Sequence, residues 1–160
     1  MAEYEHLLAG LLKQEEVLQL SEFTNDTAIA IGTRLVEAAR AEGKSLTVDI
    51  CRNGQQLYHC ALPGTTADND AWIQRKNRVV NRFGHSSFYI GQFYASTGTT
   101  LEARALVDPR EYAAHGGAFP AIVKNVGVVG TITVSGLPQA EDHALVVRVL
   151  ADFLGVTLED

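Results

Sequence analysis

Cysteine is scarce in this chain: Cys51 and Cys60 stand alone, too few for a disulfide framework and without the spacing of a zinc site. Positive charge is also short, with 13 Lys and Arg against 19 Asp and Glu and a formal net charge of -6. That balance excludes a general nucleic-acid binder, whose affinity rests on neutralising phosphates. No apolar run is long enough to span a bilayer. The opening Met1-Ala2-Glu3-Tyr4-Glu5-His6 is acidic where a secretory leader is basic. The expectation is a cytoplasmic protein with neither a membrane nor a nucleic-acid partner. Internal repeats and low-complexity linkers are missing too. So are the Gly-x-Ser-x-Gly nucleophile elbow, the P-loop and the Rossmann glycine fingerprint, so no reaction is assigned from motif. What remains is 160 residues with 46% hydrophobic content, enough for one domain over residues 1–160 with a sizeable core.

Leucines at 7, 8, 11, 12 and 18 recur at helical spacing and predict an N-terminal helix over about 4–20. A second helix starts at Thr24-Asn25-Asp26 and stops near Gly43. Alternation over Leu46–Cys51, the turn pair Asn53-Gly54 and a return run Gln55–Leu62 predict a hairpin. With a plain two-residue loop, Cys51 faces Gln56, Thr47 faces Cys60 and His59 faces Val48. The cysteines then share a face about 13 Å apart along the ladder, too far for a disulfide. His59 falls on the face of Ile50 and Leu57, as a hydrogen-bonded core residue.

A third helix runs from Asp68 or Asn69 to Phe83 and ends at Gly84. Its apolar side holds Trp72, Val79, Val80 and Phe83, with Lys76 among them. A lysine on that side needs an outward path or an acidic partner. Arg75, Arg78 and Arg82 line a neighbouring face, which is either a grip for an anion or a solvated salt-bridged surface. Ser86 or Ser87 caps a short helix through Tyr94, and Leu101–Val107 reads equally as helix or strand. Strands follow at 118–124 and 126–134, and Pro138 opens the last helix.

Two glycine corners draw the candidate site together, His115-Gly116-Gly117-Ala118-Phe119-Pro120 and Ser135-Gly136-Leu137-Pro138-Gln139-Ala140-Glu141-Asp142-His143. Glycine lets main chain approach a ligand closely, and the last helix offers free amides to an anion. Glycine needed only for packing explains the corners equally well. His115 and His143 are candidate iron ligands, acid–base groups or plain hydrogen-bonding residues. Asp142 and His143 are adjacent on a helix, so their side chains diverge. Asp142 either caps the glycine corner or partners Lys76.

Four ordered motifs, Trp72-Ile73-Gln74-Arg75-Lys76, Arg82-Phe83-Gly84-His85-Ser86-Ser87, Glu111 to Pro120 and Val134 to His143, resemble the haem-degrading-like family over nearly the whole chain. The branch is that of small uncharacterised bacterial and fungal proteins. The resemblance implies an α+β fold, a profilin-like antiparallel sheet with helices packed against it, related to GlcG and haem-binding proteins. It also implies a homo-oligomer. It places the superfamily's helix lysine on Lys76, its glycine-glycine-proline loop on Gly116, Gly117 and Pro120, and its Ser-Gly-acid set on Ser135, Gly136 and Asp142, all lining one pocket. Trp72, Arg75 and His115 mark the branch. The implied cofactor is haem, with His115 or His143 toward iron and Arg75 or Lys76 on the propionates, and haem degradation is its extension. The alternative expectation is a pocket for a small anionic metabolite in a sensor or oligomeric interaction protein.

Overall fold

The computed structural model describes residues 2–159. It holds α1 (Ala2–Val17), α2 (Asn25–Ala41), β1 (Thr47–Arg52), β2 (Gln55–Ala61), α3 (Ala67–Phe83) and α4 (Ser87–Ser96). After these come α5 (Leu101–Ala105), β3 (Ala118–Val123), β4 (Gly127–Ser135) and α6 (Gln139–Leu154). The strands form one antiparallel sheet in the order β2-β1-β4-β3, the α+β architecture expected. No described helix is long and apolar enough to cross a membrane.

The two faces of the sheet differ, and that difference creates the site. On one face Val48, Ile50, Phe119, Ile132 and Val134 bury against Ile31 and Leu35 of α2 and Leu145, Val146 and Leu150 of α6. Burying a side chain of the size of Phe119 contributes about 2–3 kcal/mol. Thr47, Asp49, Thr131, Thr133 and Ser135 alternate with these residues and are equally buried, but on a polar face crossed by α3. There Asn77 donates to Asp49 Oδ2 at 3.2 Å and accepts from Thr133 Oγ1 at 2.5 Å. The apolar side of α3 turns instead toward α4 and α5, where Val79 meets Ile90, Leu101 and Val107.

Two expectations are corrected and one ambiguity is resolved. The first helix ends at Val17, not at about 20. Leu20 leaves it to bridge Val123, donating to Ile122 O at 2.8 Å and accepting from Lys124 N at 2.9 Å, which covers part of the β3 edge. The hairpin keeps Cys51 opposite Gln56 but carries a bulge between Ile50 and Cys51. Beyond it Cys60 faces Val48 and His59 faces Asp49. The cysteines therefore lie on opposite faces and stay free, and His59 is exposed, within 2.7 Å of Asp70 Oδ1. A single inserted residue flips every side chain beyond it. The ambiguous stretch after Thr100 folds as α5, with the Thr100 hydroxyl accepting from Ala103 N at 3.2 Å.

Candidate functional site

α3 supplies one wall. Its N-cap Thr66 accepts from Asp68 N at 3.3 Å, and Asn69 Oδ1 accepts from Thr66 N at 3.0 Å. The other end of the Asn69 amide donates to Ser135 O at 3.3 Å, tying the start of α3 to the end of β4. Asn69, Trp72 and Lys76 stand at i, i+3 and i+7, and Asp68 is i-4 from Trp72, so all four share a helix face. α6 supplies the facing wall. It starts after Pro138 with no side-chain cap, leaving the first amides, those of Gln139 and Ala140, without intrahelical partners.

Asp142 joins the walls. Its carboxylate accepts from Lys76 Nζ at 3.2 Å, from Leu137 N at 3.0 Å and from Gly136 N at 3.4 Å. Lys76 Nζ also donates to Val134 O at 3.3 Å. The ion pair is almost wholly buried, at 4% and 2% side-chain exposure. Burial pushes the Lys76 amine down and the Asp142 carboxyl up, each opposed by its partner's charge. Asp142 thus fills both roles read for it from sequence, anchor of the glycine corner and partner of Lys76.

Around this pair lies a pocket of about 280 Å³ lined by Asp68, Asn69, Trp72, Lys76, His115, Ser135, Gly136, Leu137, Gln139 and Asp142. His115 is exposed at the mouth, with its ring edge-on to Trp72 at 5.3 Å. Desolvation against the wall, then the Lys76 and Arg75 charges, hold its pKa below the ordinary histidine value, so the imidazole is neutral at pH 7.

Of the residues singled out from sequence, Trp72, Lys76, His115, Ser135, Gly136 and Asp142 meet in this pocket, and the others lie outside its lining. Gly116 N donates to Gln139 Oε1 at 2.9 Å. Gly117 sits at φ +137°, where a side chain would strike Val134 O and come within 2.6 Å of Lys76 Nζ. Pro120 is buried in edge strand β3 opposite Thr131, a place where a missing N–H is tolerated. Arg75 lies 4.5 Å over the Trp72 ring and donates to Pro109 O at 2.9 Å. Arg78 donates to Glu111 O at 3.2 Å and Arg82 lies over Tyr112. The arginine face thus braces the loop at 109–112.

His143 points away from the pocket. It is 4% exposed, stacked 5.0 Å from Phe88, with Nε2 2.8 Å from Gln14 Oε1 of α1. Its Nδ1 has no hydrogen-bond partner among the described residues, and burial drops its pKa to about 4. Asp68, Asn69, Leu137 and Gln139 were missed as lining residues. The signal for the first two was their place on the Lys76 face.

Comparison with known proteins agrees with the fold. The family described as haem degrading protein HbpS-like matches residues 23–151. The UPF0303 protein SCO2848 of Streptomyces coelicolor is 54% identical over 148 residues, 92% of this chain and 94% of that protein. The crystal structure of the Ybr137w protein superposes with a TM-score of 0.85 at 38% identity, covering 92% of this chain and 87% of that one. The crystal structure of a PduOC:Heme complex superposes at 0.67 with 13% identity, covering 88% of this chain and all of that one, 100%, a likeness of fold alone. With the family match spanning most of its length, this chain belongs to the HbpS-like haem-degrading family.

Proposed function

We propose that this domain binds a small monocarboxylate in the pocket between α3 and α6. The observation that carries this reading is the convergence of two helix N-termini on one pocket whose buried cation is already paired. Asp68, Lys76 and Asp142 sum to one negative formal charge around a neutral His115. Each helix N-terminus contributes roughly half a positive charge, so the site is near neutrality and disfavours a phosphate or a tricarboxylate over a singly charged ligand. The uncapped start of α6 contributes Leu137 and Gln139 to the lining, and Trp72 offers a flat apolar wall.

The pocket by itself is small for a whole haem. A volume of about 280 Å³ is at the lower limit for ligand sites, and His143 is sealed under α1. The family description and the PduOC:Heme neighbour support a second reading, in which a tetrapyrrole lies across the mouth with His115 as the imidazole in reach. Haem degradation would be a further step beyond that reading. The homo-oligomer implied by the family resemblance is also carried as a proposal. Light scattering after size exclusion should give a mass of at least two chains, and a monomer at high concentration would remove that part.

Thermal-shift titration with lactate, malate, citrate and inorganic phosphate, beside a visible-absorption titration with haemin, separates the readings. Stabilisation by lactate above the other anions, abolished in Trp72→Ala, is the expected result. A saturable Soret shift lost in His115→Ala, with no response to lactate, would replace it with the tetrapyrrole reading.

A further inference from the structure

We propose that Lys76 captures the carbonyl carbon of a small 2-oxo monocarboxylate as a covalent imine, an inference that rests on the monocarboxylate reading of the pocket. Lys76 Nζ is the cationic nitrogen of the pocket lining. Two of its three N–H groups go to Asp142 Oδ2 and Val134 O, leaving one position for the cavity. Gly117 behind it leaves no room for a side chain without displacing that nitrogen, so the backbone is shaped around its placement.

A buried lysine held only as a structural cation is a poor stabiliser, because desolvation consumes most of the Coulombic gain. Here desolvation moves the Lys76 amine down and the Asp142 carboxyl up, against the pull of each partner's charge, and the 3.2 Å contact gives a direct path for transfer of the proton from Lys76 to Asp142. That transfer supplies the free amine that carbonyl addition requires. The acid is also well placed for the substrate. Its carboxylate touches the amine on one side and the amides of Gly136 and Leu137 on the other, and Leu137 and Gln139 at the start of α6 line the same pocket. In a 2-oxo acid the carboxylate and the carbonyl carbon are adjacent, so one small molecule can present both groups to this pocket.

The step balances without an oxidant or reductant. Asp142 takes a proton from the Lys76 ammonium, the nitrogen lone pair forms the N–C bond, and the C=O π pair moves to oxygen. The oxygen then receives the proton from Asp142, giving a carbinolamine. Asp142 removes a second proton from nitrogen and delivers it to the hydroxyl, which leaves as water while the C=N bond forms. The net change is ammonium plus ketone to iminium plus water, with the Asp142 carboxylate regenerated beside the iminium.

Pyruvate is the probe, with sodium cyanoborohydride present to trap the imine, followed by intact mass and peptide mapping. The expected product is one adduct per chain, with the mass of pyruvate less one oxygen, confined to Lys76. It is lost in Lys76→Arg, which keeps the charge and whose fold is checked by circular dichroism, and slowed in Asp142→Asn. Lys13, Lys44 and Lys124 are internal controls. An adduct spread over those lysines and undiminished in Lys76→Arg would overturn the proposal. Lactate, which has no ketone, separates the two layers. Lactate binding with no pyruvate trapped overturns the imine and keeps the pocket, and the absence of both removes the pocket reading and the imine with it.

Discussion

At the scale of single residues, the buried charges set how stability responds to pH. His143 titrates at about 4 in the folded chain against 6.5 ordinarily. As pH falls through 6.5 the unfolded chain takes up this proton and the folded chain does not. The stability fully present above pH 6.5 is therefore lost progressively down to about pH 4, by about 3 kcal/mol in all. Glu15 and Asp142, whose carboxyls burial pushes up, work in the opposite sense above their ordinary values, so the clean measurement is a difference. Urea unfolding at pH 7 and pH 5 should show a larger loss for wild type than for His143→Leu. Equal losses would place the proton elsewhere. The Lys76–Asp142 pair gives a second residue-scale expectation. Removing one partner leaves a buried charge uncompensated, so Lys76→Met should cost about 3 kcal/mol or more. Lys76→Met with Asp142→Leu should cost less than the sum of the single changes, as a double-mutant cycle in denaturant would report.

At the scale of elements, backbone conformation makes the sharper predictions. Leu106 ends α5 at φ +57° while 87% exposed, a left-handed conformation that leucine adopts at a cost of about 1 kcal/mol. Leu106→Gly should raise stability by up to that amount, because glycine is the usual residue at a left-handed helix end. Gly117→Ala has the opposite sign. Its φ of +137° and the proximity of Lys76 Nζ predict a loss of about 2 kcal/mol or more, measured as a fall in thermal midpoint. Most elements were legible from sequence because local chemistry marks their ends: Thr24 and Ser86 cap α2 and α4, and Gly84 closes α3 in the left-handed region. What sequence did not reveal was an irregularity inside one hairpin and a contact far along the chain. The bridge from Leu20 to Val123 depends on a partner distant in the chain, and the bulge after Ile50 breaks the strict alternation on which the hairpin register was read. Alternation alone therefore placed His59 on the wrong face.

At the scale of the whole molecule, the site exists because the sheet has one apolar and one polar face, and α3 crosses the polar one beside the uncapped start of α6. The pairing of Lys76 with Asp142 was open to reading from sequence, since a lysine on an apolar helix side demands an acid. The separation of His115 from His143 was not, because neighbouring helical positions point apart by an amount that only packing against α1 resolves. The arginines misled for a similar reason: their helical spacing is plain, but their occupation by Pro109 O, Glu111 O and Tyr112 comes from a loop thirty or so residues on. A ligand that binds the native pocket and not the unfolded chain should stabilise the protein by about 2.7 kcal/mol at a hundredfold excess over its dissociation constant.

The most direct test of the central claim is amide chemical-shift mapping of the isotopically labelled protein during titration with lactate. The account predicts saturable shifts concentrated at Gly136, Leu137, Gln139 and Ala140, together with the Trp72 indole N–H. Shifts scattered over the arginine face of α3, or a spectrum unchanged by lactate while haemin perturbs His115, would contradict it.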